Sequence, residues 1–417
     1  MRGPHRRAVL AAGLALLMAG HAGLAGAAEH TPRLQLTVRH TLAAARPAET
    51  IAVPWREVAR QLPGARLHQL AVRDETGRLL PYQVTNVDPQ AKDPRGEGKA
   101  YGELLFQHDF AAGEQQARFT IEPAEAVVPP FPAQAYARPV PERLDDFAWE
   151  NDRIAHRTYG PALAAPAPPG SGKEVLVSSG IDVWFKRPSY LVIDRWYTKG
   201  HDHYHQEQGE GLDMVAVGRS RGLGGTGVWN GQQLFTSGNY SRWRILANGP
   251  IRVAFELAYD AWDADGRAVS ELKRITLDAG QLFTAVESRF TAAGPQPLRV
   301  ALGLHKAPAY AAQAPVISTH RAPDTLAQWV RQRSAGDFGT ALILPGADGH
   351  GADALNELIL ATVVAGQPLR YHLGAAVSWS GEFTSAEAWQ AHVAAWRDRL
   401  AAPVQVSVDP PAGGGAP

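Results

Sequence analysis

The chain has 417 residues, of which 45% are hydrophobic, and its 41 basic residues balance 41 acidic ones to give a formal net charge of zero. This balance argues against nucleic acid as the main partner, because phosphate binding usually needs a basic excess. The lack of cysteine excludes disulfide bonds, thiolate metal ligands and a cysteine nucleophile.

Residues 1–27 have the layout of a secretory signal peptide. Arginines precede an apolar run at residues 8–20, and Ala25 and Ala27 are small residues that suit a signal peptidase. The run is too short to span ~30 Å of hydrocarbon, and no later segment approaches that length, so we expect no membrane span. We therefore expect a periplasmic or secreted protein.

Residues 31–122 read as a small antiparallel β-sandwich. The segment "RLQLTVRH" alternates apolar and polar residues, and "ELLFQHDF" and "ARFTIEP" repeat the period of two that is typical of half-buried strands. Six prolines follow within residues 123–141. Because proline cannot occupy a central strand, this stretch is predicted to be an extended linker between domains.

Residues 142–408 contain long strand patterns and few helical ones, which predicts a large β-sandwich or supersandwich. Asn230-Gly231 predicts a two-residue hairpin turn. One helix is expected near the C-terminus, capped by Thr384 and carrying an apolar stripe that includes Trp389 and Trp396. The tail at 409–417 is predicted to be disordered.

The segment "KGHDHYHQEQGEGLD" at residues 199–213 is the densest candidate site. If it were a strand, His201, His203 and His205 would share one face and could bind zinc. A solvated histidine-rich loop is a second interpretation. The interpretation we favour uses no metal: Tyr204 and His205 act as an acid and base pair.

Two acidic residues support that hypothesis. Gly209 and Gly211 allow tight backbone turns, which could bring Glu210 and Asp213 beside the histidine to orient its ring. The catalytic candidates are therefore Tyr204, His205, Glu210 and Asp213. No cofactor is predicted, although a divalent cation that neutralises an acidic substrate remains an alternative.

A second polar cluster lies in "WENDRIAHRTYGP" at residues 149–161. Guanidinium groups there could pair with the carboxylate of an acidic sugar by two-point contacts, although a strand with an exposed polar face would give the same pattern. The candidate substrate-binding residues of this cluster are Asn151, Arg153, His156, Arg157 and Tyr159. Weaker candidates elsewhere are Arg242, Trp243 and His305.

Four segments of the large domain, "WENDRIAHRTYGPAL", "SGIDVWFKRPSYLVIDRWY", "YHQEQGEGLDMVAVG" and "NGPIRVAFELAYDAW", together resemble the domain of unknown function 4861 family. The resemblance also covers "ELLFQHDF" in the first domain. It implies a secreted or surface protein of bacteria that digest plant and algal polysaccharides, with a fold related to the galactose mutarotase-like supersandwich. One branch of the family is linked to ulvan breakdown as an oligosaccharide dehydratase.

The dehydratase activity implied by this resemblance would remove water across C4 and C5 of a non-reducing-end uronic acid. Arg153 or Arg157 would neutralise the carboxylate, while His205 and Tyr204 would move the protons. A polysaccharide lyase, a glycoside hydrolase with paired carboxylates, and a non-catalytic glycan-binding protein remain alternatives. The expected partner is an oligosaccharide, and the oligomeric state stays open.

Overall fold

The computed structural model describes residues 32–85, 102–309, 314–332 and 335–409. The proposed signal peptide at 1–27, and residues 410–417 of the proposed tail, lie outside the described residues. Among the helices that are described, none is long and apolar enough to cross a membrane.

The strands of the first part of the chain are β1 (Leu34–Arg39), β2 (Arg46–Pro54), β3 (Leu70–Asp74), β4 (Tyr82–Thr85), β5 (Glu103–Phe110), β6 (Gln116–Pro123), β7 (Ala135–Val140), β8 (Asp146–Asn151), β9 (Ile154–Thr158), β10 (Ile181–Lys186), β11 (Gly211–Asp213), β12 (Leu223–Trp229) and β13 (Leu234–Phe235). The later strands are β14 (Arg242–Ala247), β15 (Arg252–Ala264), β16 (Arg267–Asp278), β17 (Phe283–Ala292), β18 (Leu298–His305), β19 (Val316–Ala322), β20 (Thr325–Arg331), β21 (Phe338–Ile343), β22 (Gly349–Ala352), β23 (Asn356–Val363), β24 (Pro368–Val377) and β25 (Gln405–Val408). The helices are α1 (Trp55–Gln61), α2 (Pro161–Ala164), α3 (Ile193–Lys199), α4 (His201–Tyr204) and α5 (Ala386–Ala401).

The N-terminal sandwich consists of a four-stranded sheet, β25-β1-β6-β3, and a three-stranded sheet, β2-β5-β4. Alternating apolar side chains from both sheets, such as Leu36, Ile51 and Phe106, fill one core with Trp55 and Val58 of α1. These observations agree with the predicted antiparallel sandwich. The sheet also takes in β25, a strand that the sequence placed in the second domain, because β25 pairs antiparallel with β1.

The large supersandwich has an eight-stranded sheet in the order β14-β15-β16-β17-β24-β21-β20-β19. Opposite it lie two five-stranded sheets, β11-β10-β9-β8-β7 and β13-β12-β18-β23-β22, which meet at a bridge between Ile181 and Gly222. Side chains from all three sheets form the main core. The fold is mostly β, as the strand periodicity predicted.

Two local predictions need correction. The stretch proposed as a linker contains β7, which pairs with β8 at the edge of its sheet, where Pro139 costs no hydrogen bond to a further strand. The turn at Asn230 has four residues rather than two, since Trp229 pairs with Leu234 and the Asn230 carboxamide oxygen accepts from the amide N–H of Gln233. The domain boundaries themselves stay a prediction.

The predicted C-terminal helix is α5, but its cap lies one residue later than expected. Ser385 has extended backbone angles, and its hydroxyl accepts from the amide N–H of Ala388 at 3.2 Å. The apolar stripe packs on the outer face of the eight-stranded sheet, where Trp389 contacts Phe283 and Trp396 stacks on the same ring. The helix therefore covers one half of that face.

Candidate functional site

The segment predicted to carry the catalytic pair contains helix α4 at His201–Tyr204 and strand β11 at Gly211–Asp213, so its histidines do not lie on a strand. Helices α3 and α4 lie on the outer face of the five-stranded sheet β7 to β11, where Trp184, Trp196 and Tyr204 form a small aromatic core. Tyr204 is 1% exposed and stacks on Trp184 with a ring separation of 4.7 Å. Its role here is to attach α4 to the sheet, since an enclosed ring cannot contact a substrate.

Beneath Tyr204 lies a buried network of charges centred on Arg157 of β9. Its guanidinium contacts Asp182 of β10 at 2.7 Å, Asp213 of β11 at 2.8 Å and Asp146 of β8 at 3.6 Å. Burial opposes the charge on Arg157, but Asp182 and Asp213 outweigh that effect and raise its pKa well above the usual value. The network joins neighbouring strands beneath the helices, so it holds the structure together and is closed to a sugar.

His205 lies at the edge of this network and is only partly exposed. Its Nε2 is 3.2 Å from the Asp213 carboxylate, and its Nδ1 is 2.9 Å from the carbonyl oxygen of His201. Asp213 therefore orients the imidazole as predicted. Because both ring nitrogens already face oxygen atoms, His205 is poorly placed to take a proton from a substrate.

Glu210 lies 3.9 Å from Nε2 of His203 rather than beside His205, contrary to the prediction. Its carboxylate accepts hydrogen bonds from Tyr190 and from Arg195, the latter at 2.6 Å. Burial alone would raise the pKa of Glu210, but these hydrogen bonds lower it to about 2. Glu210 thus ties α3 to the loop that precedes β11.

The three-histidine zinc site depended on a strand, and that premise is wrong. His201 and His203 lie in helix α4, where successive residues turn by ~100° and positions two apart face different directions. His203 approaches Lys199 at 3.4 Å instead. In the described ranges, no group of three or more histidine, aspartate or glutamate side chains is placed to hold a metal ion.

The second predicted cluster separates into buried and exposed members. His156 is fully buried against Trp149, and Tyr159 is 4% exposed, so neither contacts solvent as a ligand-binding residue would. Asn151 shapes the turn between β8 and β9, because its side-chain oxygen accepts from the amide N–H groups of Arg153 and Ile154. Within this cluster, Arg153 reaches an open cavity.

The weaker candidates lie elsewhere on the molecule. Arg242 is exposed on β14, the edge strand of the large sheet, and its neighbour Trp243 is half exposed, with its ring near Phe147. His305 ends β18 and contacts the carbonyl oxygen of Ala216 at 2.6 Å. The fold does not bring these three residues to one site.

A cavity of about 640 Å³ opens where four connections meet at one end of the supersandwich. The β8–β9 turn contributes Asp152 and Arg153, and the segment after β10 contributes Arg187. The β16–β17 turn forms one wall, and the segment after β24 supplies Trp379 and Glu382. Its volume lies within the range of about 300–1,000 Å³ that is usual for small-molecule sites.

Arg187 is held in a fixed orientation at this cavity. Its Nε donates to Glu207 at 2.8 Å, and its guanidinium carbon lies 4.1 Å from the centroid of the Trp379 ring. No acceptor in the described part of the chain hydrogen-bonds its two terminal nitrogens. The guanidinium therefore presents two free N–H₂ groups on a preorganised plane, a geometry that fits a carboxylate.

Arg153 forms the second cationic group of the cavity. Its Nη2 contacts the half-exposed Glu382 at 2.5 Å, and its Nη1 donates weakly to the carbonyl oxygen of Gly280 at 3.4 Å. Asp152 accepts from the amide N–H of Gly280 at 2.6 Å, which fastens the two turns together. Arg187, Trp379 and Glu382 were missed by sequence reasoning because no local motif joins residues so distant in the chain.

Comparison with known proteins finds a family model and a relative that each match most of the chain. Residues 38–406 match the family model described as domain of unknown function (DUF4861). An uncharacterized protein P7 of Formosa agariphila is 29% identical over 391 residues, which cover 89% of this chain and 93% of that protein.

Solved structures show only distant similarity. An α-mannosidase from Enterococcus faecalis aligns over 91% of this chain and 46% of its own, with 9% identity and a TM-score of 0.45. A putative kojibiose phosphorylase from the human microbiome aligns over 66% and 37%, with 10% identity and a TM-score of 0.36. This chain thus spans less than half the length of either structure. The family match covers both the N-terminal sandwich and the supersandwich, and the chain belongs to the DUF4861 family.

Proposed function

We propose that this protein is an exported carbohydrate-active enzyme that binds the carboxylate of an acidic sugar at Arg187. The observation that carries the proposal is the fixed guanidinium in the 640 Å³ cavity, whose two terminal nitrogens are hydrogen-bonded by none of the described residues. A carboxylate has two oxygens at the spacing of those nitrogens, so it can accept two parallel hydrogen bonds. Neutral sugars offer no comparable partner.

The reaction that we propose is loss of water across C4 and C5 of a uronic acid. Neutralising the carboxylate acidifies the neighbouring C5 proton, a base removes that proton, the C4–O bond breaks and an acid protonates the departing hydroxyl. The product is a 4,5-unsaturated uronyl residue and one water. Tyr204 cannot serve as the acid because it is enclosed, so Asp152 and Glu382, which line the cavity, replace Tyr204 and His205 as candidates for the proton transfers.

The test is incubation of the protein with a panel of uronic-acid oligosaccharides, followed by ultraviolet absorbance and mass, with and without a chelator. We expect an absorbance rise and the loss of one water without chain cleavage. Cleavage with an unsaturated end would indicate a lyase instead, and cleavage without one would indicate a hydrolase. A loss of activity with chelator would show that a cation takes part.

Two variants test the site itself. Arg187→Ala should lower kcat/KM for an acidic oligosaccharide by about 10- to 100-fold, because a two-point contact to the carboxylate is lost. Arg321→Ala is the matched control, since Arg321 is also partly exposed and pairs with a glutamate, Glu357, away from the cavity. Equal activity in the two variants would overturn the assignment of Arg187.

A further inference from the structure

A row of alternating charges crosses the open half of the large sheet. Arg244, Glu256, Arg274, Glu287 and Arg370 are direct cross-strand neighbours on β14, β15, β16, β17 and β24. Neighbouring strands are ~4.8 Å apart, so the three arginines, which occupy alternate strands, repeat at ~9.6 Å. The sheet thereby presents cations on alternate strands.

The carboxylates of this row are more buried than its guanidinium groups. The side chains of Glu256 and Glu287 are 7% and 21% exposed, whereas those of Arg244, Arg274 and Arg370 range from 39% to 67%. Glu256 pairs with Arg244 and Arg274 through the Nε and Nη2 edge of each guanidinium. Glu287 pairs in the same way with Arg370 and with Arg289 of the adjacent row. The glutamates therefore position the guanidinium groups through the Nε and Nη2 edge and leave the Nη1 groups of the three row arginines outside these ion pairs.

The adjacent row adds further positive charge. Two residues along the strands, this row carries Arg242 on β14 and Arg289 on β17, with the apolar Ala258 and Leu272 between them. With Asp260 included, five arginines face three carboxylates, which leaves an excess of two positive charges on a chain whose formal net charge is zero. Charge complementarity thus favours an anionic partner on this face.

A groove of about 220 Å³ borders the charged row on the side of helix α5. Its floor is the next row of the sheet, with Thr276, Ala285 and His372, and Trp396 of α5 forms part of its wall. The buried Nδ1 of His372 and Nε1 of Trp396 have no hydrogen-bond partner among the described residues. An unpartnered buried polar atom is uncommon in a folded protein, and both of these belong to residues that line the groove.

We propose that this face, comprising the charged row and the groove, is a docking surface for a chain of acidic polysaccharide. Extended acidic glycans carry their carboxylate or sulfate groups at a regular repeat, and arginines on alternate strands present N–H groups that can donate to several such anionic groups along one chain. The choice of a glycan rests on the function proposed above, whereas the preference for an anionic chain rests on the charges alone. The surface is separate from the cavity and holds polymer while the cavity acts on an end.

The test measures binding of a polyuronate, polygalacturonate, by isothermal titration calorimetry at low salt. The triple variant Arg244→Ala, Arg274→Ala, Arg370→Ala should bind at least about tenfold more weakly than wild type, and ~0.5 M salt should abolish most of that difference because it screens exposed charges. The control, Arg56→Ala, Arg60→Ala, Arg78→Ala, removes three exposed arginines of the N-terminal sandwich. It should bind like wild type.

The outcomes separate this surface from the proposed function. Equal affinity of the two triple variants, or no binding by the wild type, overturns the surface, and tighter binding of single-stranded DNA than of polygalacturonate overturns the assignment of a glycan partner. Circular dichroism checks that the alanine variant is folded. A second triple variant, Arg244→Lys, Arg274→Lys, Arg370→Lys, keeps the positive charges and should retain more of the affinity than the alanine variant. Since binding is measured without turnover, a protein that binds polymer but converts no oligosaccharide upholds the surface and refutes the enzymatic proposal.

Discussion

The guanidinium of Arg187 lies against the indole ring of Trp379, with its central carbon 4.1 Å from the ring centroid. The two residues come from connections that are nearly two hundred positions apart in the chain. Glu207 holds the Nε edge of the same guanidinium at 2.8 Å. Three separate segments therefore fix one cation in place before any ligand binds, which reduces the entropy lost on binding.

Removing the aromatic surface should weaken binding of an acidic sugar more than it slows the chemical step. For Trp379→Ala we expect KM to rise about five- to tenfold, because a cation–π contact of this kind contributes about 1 kcal/mol, while kcat changes little. Trp379→Phe keeps a ring under the guanidinium and should recover part of the affinity. Steady-state kinetics on a uronic-acid oligosaccharide measures both, and an unchanged KM in Trp379→Ala would contradict the role of the ring.

The hydroxyl of Tyr204 should be dispensable, whereas its ring should not. Its hydroxyl accepts a long hydrogen bond of 3.4 Å from Arg157, so we expect Tyr204→Phe to keep its turnover within about threefold. Tyr204→Ala removes a buried aromatic side chain from the contact with Trp184 and should lower the free energy of unfolding by about 3–5 kcal/mol. Loss of activity in a folded Tyr204→Phe protein would restore the acid role that the structure argues against.

Arg157 should be essential for stability. Arg157→Leu would leave Asp146, Asp182 and Asp213 buried without their cation, and breaking a buried ion pair in this way costs about 3–5 kcal/mol. Arg157→Lys keeps the charge but cannot reach all three carboxylates, so we expect an intermediate loss. Urea denaturation at neutral pH measures the differences, and a wild-type midpoint for Arg157→Leu would contradict a stabilising network.

The buried histidine at position 156 should make the protein sensitive to acid. Burial lowers the pKa of His156 to about 3, compared with about 6.5 in an unfolded chain. Since the unfolded state then binds the proton more readily, stability is present above pH 6.5 and is lost as the pH falls from about 6.5 toward 3. His372 and His392, each with a pKa lowered to about 4 by burial, add to the loss in the same direction.

The variant that checks this effect is His156→Phe, which keeps an aromatic ring against Trp149 and cannot be protonated. We expect its urea midpoint to fall less than that of the wild type between pH 7.5 and pH 5, as followed by tryptophan fluorescence. An identical fall in the two proteins would show that His156 does not contribute to the acid sensitivity.

Several features of the candidate site were accessible from sequence. Arg153 was identified as a ligand-binding residue by its place in a polar cluster, and the structure does place it at the cavity. Its neighbours in the same cluster illustrate the difficulty: in β9, residues 154–158 are all buried, so His156 and Arg157 look polar in sequence but lie within the fold. Helices cover one face of that sheet and the main core covers the other. Both faces of β9 are therefore buried, so buried and exposed residues do not alternate along it.

The class of fold can be predicted from the sequence, because the period of two along most strands requires one face of each to be buried. The sequence also indicates the family, through motifs spread along the chain. The candidate site depends on the tertiary structure, since Arg153, Arg187, Trp379 and Glu382 meet through four connections at one end of the supersandwich. Hydrophobic periodicity reports which face of a strand is buried, but the proximity of loops depends on strand order and register, which no local pattern encodes.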